Sequence, residues 1–227
     1  MTGSAVAARP EHPDSELLRR IGQKVRKRLA ANRAVHTIAH GGAELWAVSG
    51  FFDPVECGRL IALIDATARP SVAYALGGDE DVRTSFSGDL DPNDPFVRGL
   101  DRRIGSLLGL PYDTGEVLEG QRYTAGQQFK EHIDWFPPDS PGWQREKARG
   151  GQRAFTAMAY LNTVEAGGET DFPKLDLAIA PRQGTLLVWN NADPHGVPSP
   201  LTSHAGNPVV RGAKYVVTKW FRARPWR

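Results

Sequence analysis

Cysteine is all but absent. Cys57 is the only one in 227 residues, so no disulfide can form within the chain, and a reducing, cytoplasmic setting is expected. No apolar run approaches the roughly 18 residues of a membrane-spanning helix, and the opening MTGSAVAARPEHPDSELL lacks the apolar core of a secretion signal. The expectation is a protein with no membrane partner. Charge of one sign is also missing from most of the chain. Residues 1–33 hold eight Lys/Arg against three Asp/Glu, which leaves the remainder at a net −3. Nucleic acid is therefore not expected as a partner. No internal repeat is visible.

What is present suffices for one domain with an N-terminal extension. Residues 1–13, with Pro10 and Pro13 and no periodicity, are expected to be mobile. Ser15 is placed to cap a helix in which Leu17, Leu18, Ile21, Val25 and Leu29 recur opposite Arg19, Lys24, Arg26 and Lys27. This amphipathic basic helix and its connection occupy 14–43. AELWAVSGFF then reads as a strand leading to Asp53, with Pro54 opening a second helix whose Val55, Leu60, Ile61 and Ile64 share one side. A third helix follows Asp94 and Pro95, turns Phe96, Leu100, Ile104 and Leu107 inward, and ends near Gly109; a long polar loop separates the two. From Val117 the pattern becomes short β-like runs divided by Gly, Pro and Asp. Helices followed by an all-β half predict a mainly β protein, with helices packed on one sheet of an antiparallel sandwich or barrel.

Two segments carry chemistry. In HIDW, strand alternation sends His132 and Asp134 to one face, so that an imidazole nitrogen and a carboxylate oxygen can meet. Such a pair also arises by chance, and a distant third ligand decides its meaning. Two histidines and one carboxylate leave three positions open on an octahedral ion, the arrangement of non-haem Fe(II) oxygenases, although Zn²⁺ or Mn²⁺ in a hydrolase would also fit. Downstream, His195 and His204 both stand in a stretch dense with Gly, Pro and Ser. The second segment is AKYVVTKWF, which alternates Lys214, Val216, Thr218 and Trp220 against Tyr215, Val217, Lys219 and Phe221. If the first face is inward, Lys214 needs an anion; if the second is, Lys219 does.

RYTAGQQFKEHID, GGQRAFTAMAYLNTVEAGGETDFP, PRQGTLLVWNN and SHAGNPVVRGAKYVVTKW together resemble the catalytic region of the prolyl 4-hydroxylase family, Fe(II)- and 2-oxoglutarate-dependent dioxygenases with a double-stranded β-helix (jelly-roll) core. The resemblance runs from residue 44 to the C-terminus, most densely over 116–222, and makes 44–227 the expected catalytic domain. In that family the second histidine stands in an HAG-x-PV segment ten residues before a lysine. This selects His204 over His195, which lies nineteen before Lys214.

The resemblance implies that His132, Asp134 and His204 bind Fe(II) and that Lys214 receives the distal carboxylate of 2-oxoglutarate. Tyr123 would bond the same carboxylate, and Thr170 matches the cosubstrate motif. Arg83, Ser85, Glu116, Arg153 and Trp220 match positions on the peptide-substrate side. O₂ is the co-reactant, ascorbate is a further cofactor the resemblance suggests, and Asp134 favours hydroxylation over halogenation. The implied partner is a proline-containing peptide or protein. A free amino acid or small metabolite is the alternative substrate, and a non-catalytic metal-binding jelly roll is the alternative from another class. The Pro- and Trp-rich stretch WFPPDSPGWQREKARGG departs from the family pattern, at a place where it could reshape the substrate entrance.

Overall fold

The computed structural model describes residues 12–40, 42–71 and 82–226. The mobility expected of residues 1–11, and the part of the polar loop across 72–81, lie outside the described residues. Helix α1 spans Ser15–Ala30 and buries Leu18, Val25 and Leu29, with Lys24 and Lys27 exposed. Its cap is Asp14 rather than the expected Ser15, and the Asp14 carboxylate does not cap. Long-range partners divert it: the Gln152 N–H donates to it at 2.9 Å and Arg224 pairs with it at 2.6 Å. His12, two residues earlier, is buried against Trp143 and Gln152, so the chain is already fixed there.

Helix α2 (Pro54–Thr67) opens with a reciprocal capping box between Asp53 and Glu56, and α3 (Pro95–Leu108) opens on Asp94 and stops at left-handed Gly109. Both starts follow the Asp-Pro signals. Val55, expected inward, is 80% exposed, and Cys57 takes the buried position with Leu60 and Ile64. Arg28 of α1 donates to the Ser106 and Leu107 carbonyls at the end of α3, which ties the two helices together.

The strands are β1 (His36–His40), β2 (Ala43–Val48), β3 (Arg69–Pro70), β4 (Phe86–Asp89), β5 (Glu119–Tyr123), β6 (Phe129–His132), β7 (Arg153–Tyr160), β8 (Ala166–Gly167), β9 (Thr170–Phe172), β10 (Leu177–Ile179), β11 (Leu186–Asn190), β12 (His204–Gly206), β13 (Val209–Arg211) and β14 (Lys214–Arg222). Eight form one antiparallel sheet in the order β1-β2-β11-β7-β14-β5-β4-β3, four form a smaller sheet β10-β9-β12-β6, and β8 pairs with β13. A short helix α4 (Pro141–Ala148) rises from the Pro- and Trp-rich stretch. The β1–β2 hairpin bridges residue 43, and α1 shares one core with the large sheet, so the N-terminal segment is packed against the β portion.

The large sheet is covered on both faces, which explains why β7 and β14 are buried almost throughout. Phe155, Ala157, Ala159, Val217 and Phe221 face the helices; Met158, Tyr160 and Val216 face the other side. Two strand glycines admit α2: a Cβ at Gly120 would stand 2.4 Å from Ile64 Cγ1, and one at Gly88 2.7 Å from Ile64 Cα. The expected architecture, helices on one face of an antiparallel β-sandwich, is the one observed.

Candidate active site

The side of the large sheet away from the helices carries a pocket closed by the smaller sheet. Strands β6 and β12 pair there with His132 opposite His204, which brings their ring centroids to 4.3 Å. Asp134 joins them from a bend. Strand β6 ends at His132, so the carboxylate arrives through the turn after the strand and not by strand alternation as expected. One ligand atom from each of His132, Asp134 and His204 lies within 4.8 Å of the others, and His204 Nε2 is 3.9 Å from Asp134 Oδ2. His195 is exposed in its turn and is not part of the group.

Hydrogen bonds orient each of the three side chains. His132 Nδ1 donates to the Lys130 carbonyl at 2.9 Å, and His204 Nδ1 donates to the Thr202 carbonyl at 3.0 Å. A carbonyl only accepts, so each Nδ1 carries a proton and Nε2 is the nitrogen left to bind a metal. Burial in the pocket, with His204 beside it, pushes the His132 pKa down to about 3, so its imidazole is neutral at physiological pH. Burial opposes ionisation of Asp134, but the two histidines, Arg153 and the Thr156 hydroxyl prevail and hold its carboxyl below the usual range. Thr156 Oγ1 donates to Asp134 Oδ2 at 2.7 Å and in turn accepts from Asn191 Nδ2 at 2.9 Å. Phe129 stacks on His132 at 3.6 Å, and Trp189 stands edge-on to His204 at 4.8 Å.

Lys214 begins β14 opposite Tyr123 of β5 and points into the same pocket. It is 3% exposed, and no carboxylate among the described residues forms an ion pair with it. Its ammonium lies over the Tyr123 and Tyr160 rings at 5.4 and 5.7 Å. Burial lowers its pKa to about 8, against the opposing pull of Glu169. Such a group calls for an anion beyond the described residues. Tyr123 donates to Gln121 Oε1 at 2.8 Å, and Thr170 Oγ1 accepts from Tyr160 at 2.6 Å.

Arg83, Tyr123, His132, Asp134, Thr170, His204, Lys214 and Trp220 all line this one pocket. Ser85, Glu116 and Arg153 stand behind it. Ser85 accepts from Arg83 Nε at 3.0 Å, and Arg83 is matched by Glu119 at 2.7 Å. Glu116 is gripped by Arg153 at 2.6 and 2.8 Å, while the Arg153 guanidinium lies 4.1 Å over the Trp220 ring. Sequence reasoning missed Thr156, Asn191, Gln121 and Glu119. Thr156 had a readable sign, a small hydroxyl side chain sharing the period of Met158 and Tyr160; Asn191 and Glu119 depend on contacts with distant segments, and Gln121 meets Tyr123 two positions along its own strand.

Residues 118–222 match the model of the 2OG-Fe(II) oxygenase superfamily. The chain is 32% identical over 197 residues to probable prolyl 4-hydroxylase 4 of Arabidopsis thaliana, covering 75% of this chain and 64% of that protein. It therefore spans slightly under two thirds of that relative's length. It is 30% identical over 183 residues to a putative prolyl 4-hydroxylase of Acanthamoeba polyphaga mimivirus, covering 79% of this chain and 74% of the relative. Among solved structures, the 2OG complex of a viral collagen prolyl hydroxylase from Paramecium Bursaria Chlorella virus-1 superposes with a TM-score of 0.61 at 27% identity, over 78% of this chain and 95% of that one. The chain belongs to the prolyl 4-hydroxylase family of 2OG-Fe(II) oxygenases.

Proposed function

We propose that the protein is an Fe(II)- and 2-oxoglutarate-dependent hydroxylase acting on prolyl residues of a peptide or protein. One conjunction carries this reading: two imidazole nitrogens and a carboxylate converge in the same pocket as a buried amine with no ion-pair partner among the described residues. The residues fit the implied groups. Two imidazoles and one carboxylate suit ferrous iron and leave positions on it open. Arg83 is matched by Glu119, so among the described lining residues Lys214 is the cation left for an incoming carboxylate. When bound, iron with 2-oxoglutarate and O₂ supplies the oxidation, in which the keto acid becomes succinate and CO₂ and one oxygen atom enters a substrate C–H bond.

The chain's own task is binding and orientation. His132, Asp134 and His204 hold the metal, with Thr156 and Asn191 fixing the Asp134 carboxylate. Lys214 and Tyr123 anchor the far carboxylate of the cosubstrate, with Thr170 in the same wall. Arg83, Ser85, Glu116, Arg153 and Trp220 form the peptide side. Trp220 lines both the pocket and an open groove that continues past Val117 and Trp226, a shape suited to an extended chain more than to a free amino acid. Residues 44–227 are the catalytic unit, and the single buried cysteine supports work in a reducing, cytoplasmic setting. Ascorbate is proposed as the reductant that restores oxidised iron. No helix among the described residues is long and apolar enough to cross a membrane.

The test is incubation with Fe(II), 2-oxoglutarate and O₂ and either proline-rich peptides or free amino acids, scoring the gain of one oxygen atom and the formation of succinate. Peptide hydroxylation is expected. Modification of free amino acids with peptides untouched would replace the substrate assignment, and absence of succinate would remove the enzyme reading. His204→Ala is expected to abolish turnover and metal binding, whereas His195→Ala keeps most activity; the reverse ranking overturns the metal assignment.

A further inference from the structure

We infer that Glu146 and Arg222 are positioning residues for the peptide side of the site, an inference that rests on the hydroxylase reading above. They lie outside the pocket and reach it through a buried chain of alternating charge. The chain starts in α4, within the stretch that departs from the family pattern. Glu146 of that helix is buried, and its Oε2 accepts from Arg222 at 2.6 Å. Arg145 and Arg149 approach its other oxygen at 2.9 and 3.7 Å. Arg222, at the end of β14, also donates to the Gly151 carbonyl at 2.8 Å, and its Nε lies 2.5 Å from Glu116 Oε1. Glu116 in turn holds the fork of Arg153, whose guanidinium stacks on Trp220 and reaches the Asp134 carbonyl at 3.5 Å.

Side-chain exposure shows which end is the anchor. It is 2% at Arg222 and 5% at Glu146, but 13% at Glu116 and 18% at Arg153, so the fixed end is at α4 and the adjustable end is at the pocket. The four charges alternate and sum to zero. Glu116 has two guanidiniums competing for one carboxylate, and the outcome depends on Glu146. While Glu146 holds the far side of Arg222, only Nε of Arg222 meets Glu116, and both Glu116 oxygens serve Arg153. Without the Glu146 charge, Arg222 is a buried cation that must draw more heavily on Glu116, because buried charges tolerate loss of a partner poorly. Arg153 then loses its fork, and with it the fixed stack against Trp220. Lys214 and Tyr123 belong to no part of this chain of contacts, so the cosubstrate end is left undisturbed.

The experiment compares wild type, Glu146→Gln and the double variant Glu146→Gln/Arg222→Gln. KM is measured for a synthetic proline-rich peptide and for 2-oxoglutarate, along with peptide-independent succinate formation and the melting temperature. Glu146→Gln is expected to raise the peptide KM about tenfold, as a small misplacement of a binding group does, with 2-oxoglutarate KM and peptide-independent turnover unchanged. The double variant removes the unbalanced cation and returns Glu116 wholly to Arg153, so its peptide KM is expected to recover towards wild type while its melting temperature does not. A purely structural tie predicts the opposite: stability falls, both KM values keep their ratio, and the second substitution rescues nothing. That result, or no change in peptide KM in folded Glu146→Gln, overturns the inference. Should Glu146→Gln not fold, a folded double variant with impaired peptide KM also overturns it. Wild-type protein that makes succinate but modifies no peptide would instead remove the hydroxylase reading itself.

Discussion

Two lysines of β14, five positions apart, are buried on opposite faces of the large sheet, and they differ in company rather than in burial. Lys219 is 2% exposed and Lys214 is 3% exposed. Lys219 faces the helices, where both oxygens of Asp101 in α3 meet its ammonium at 2.7 and 2.8 Å. Gly115 packs against it: a Cβ there would run into Lys219 Cε and push the side chain aside. Lys214 faces the pocket of His132, Asp134 and His204 with aromatic rings around it and no carboxylate in ion-pair reach among the described residues. A buried ammonium left alone costs several kcal/mol, and a fold that keeps one is completed by something else. Burial alone therefore does not mark a site; burial without a counter-charge does.

That contrast is broken most directly by truncating each lysine. Lys219→Met strands the Asp101 carboxylate in the core and is expected to cost about 3–5 kcal/mol in urea denaturation, with 2-oxoglutarate binding by the folded fraction unaltered. Lys214→Met is expected to do the reverse. Folding stability stays level or rises, because an unpaired charge has gone, while 2-oxoglutarate affinity measured by calorimetry under anaerobic conditions falls by about 2–4 kcal/mol. If Lys214→Met unfolds the protein and spares ligand binding, the two residues have been assigned the wrong way round.

Strand alternation alone could not choose between these lysines, and only the family resemblance named Lys214; the reason is physical. Alternation tells which residues share a face, but both faces of β14 are covered, so neither is marked as the inner one. The meeting of His132, Asp134 and His204 was legible because the resemblance, carried by four linked motifs in order, selected His204 by its spacing to Lys214. Helix starts at Asp53-Pro54 and Asp94-Pro95 were legible because caps are local. Ser15 and Val55 were misread for the converse reason: the cap position falls on Asp14, which answers to Arg224 and Gln152 far along the chain, and Val55 lies in the first turn of α2, which faces solvent. Helix α4 carries only Trp143 and Glu146 inward, and a charged residue in a core position conceals the pattern. Its partner Arg222 lies 76 positions away, beyond the reach of any periodicity argument.

The smallest expected effect is also the one that separates the two faces by pH alone. Burial depresses the Lys214 pKa from 10.5 to about 8, so in the ligand-free protein the amine loses its proton between those values while the unfolded chain still holds it. The unfolded state then binds more protons, and folding stability rises with pH across the window, by up to about 1.4 kcal/mol per unit. Ligand binding has the opposite sign. A carboxylate on Lys214 favours the charged amine, so 2-oxoglutarate affinity is greatest below pH 8 and declines above it by as much as about tenfold per unit. Both slopes are read as differences between wild type and Lys214→Met, which cancels every other group that titrates in the same range. Opposite slopes for stability and affinity, both lost in the variant, are what an unpaired amine awaiting an anion produces. Parallel slopes would mean that Lys214 already has a counter-ion within the chain, as Lys219 does.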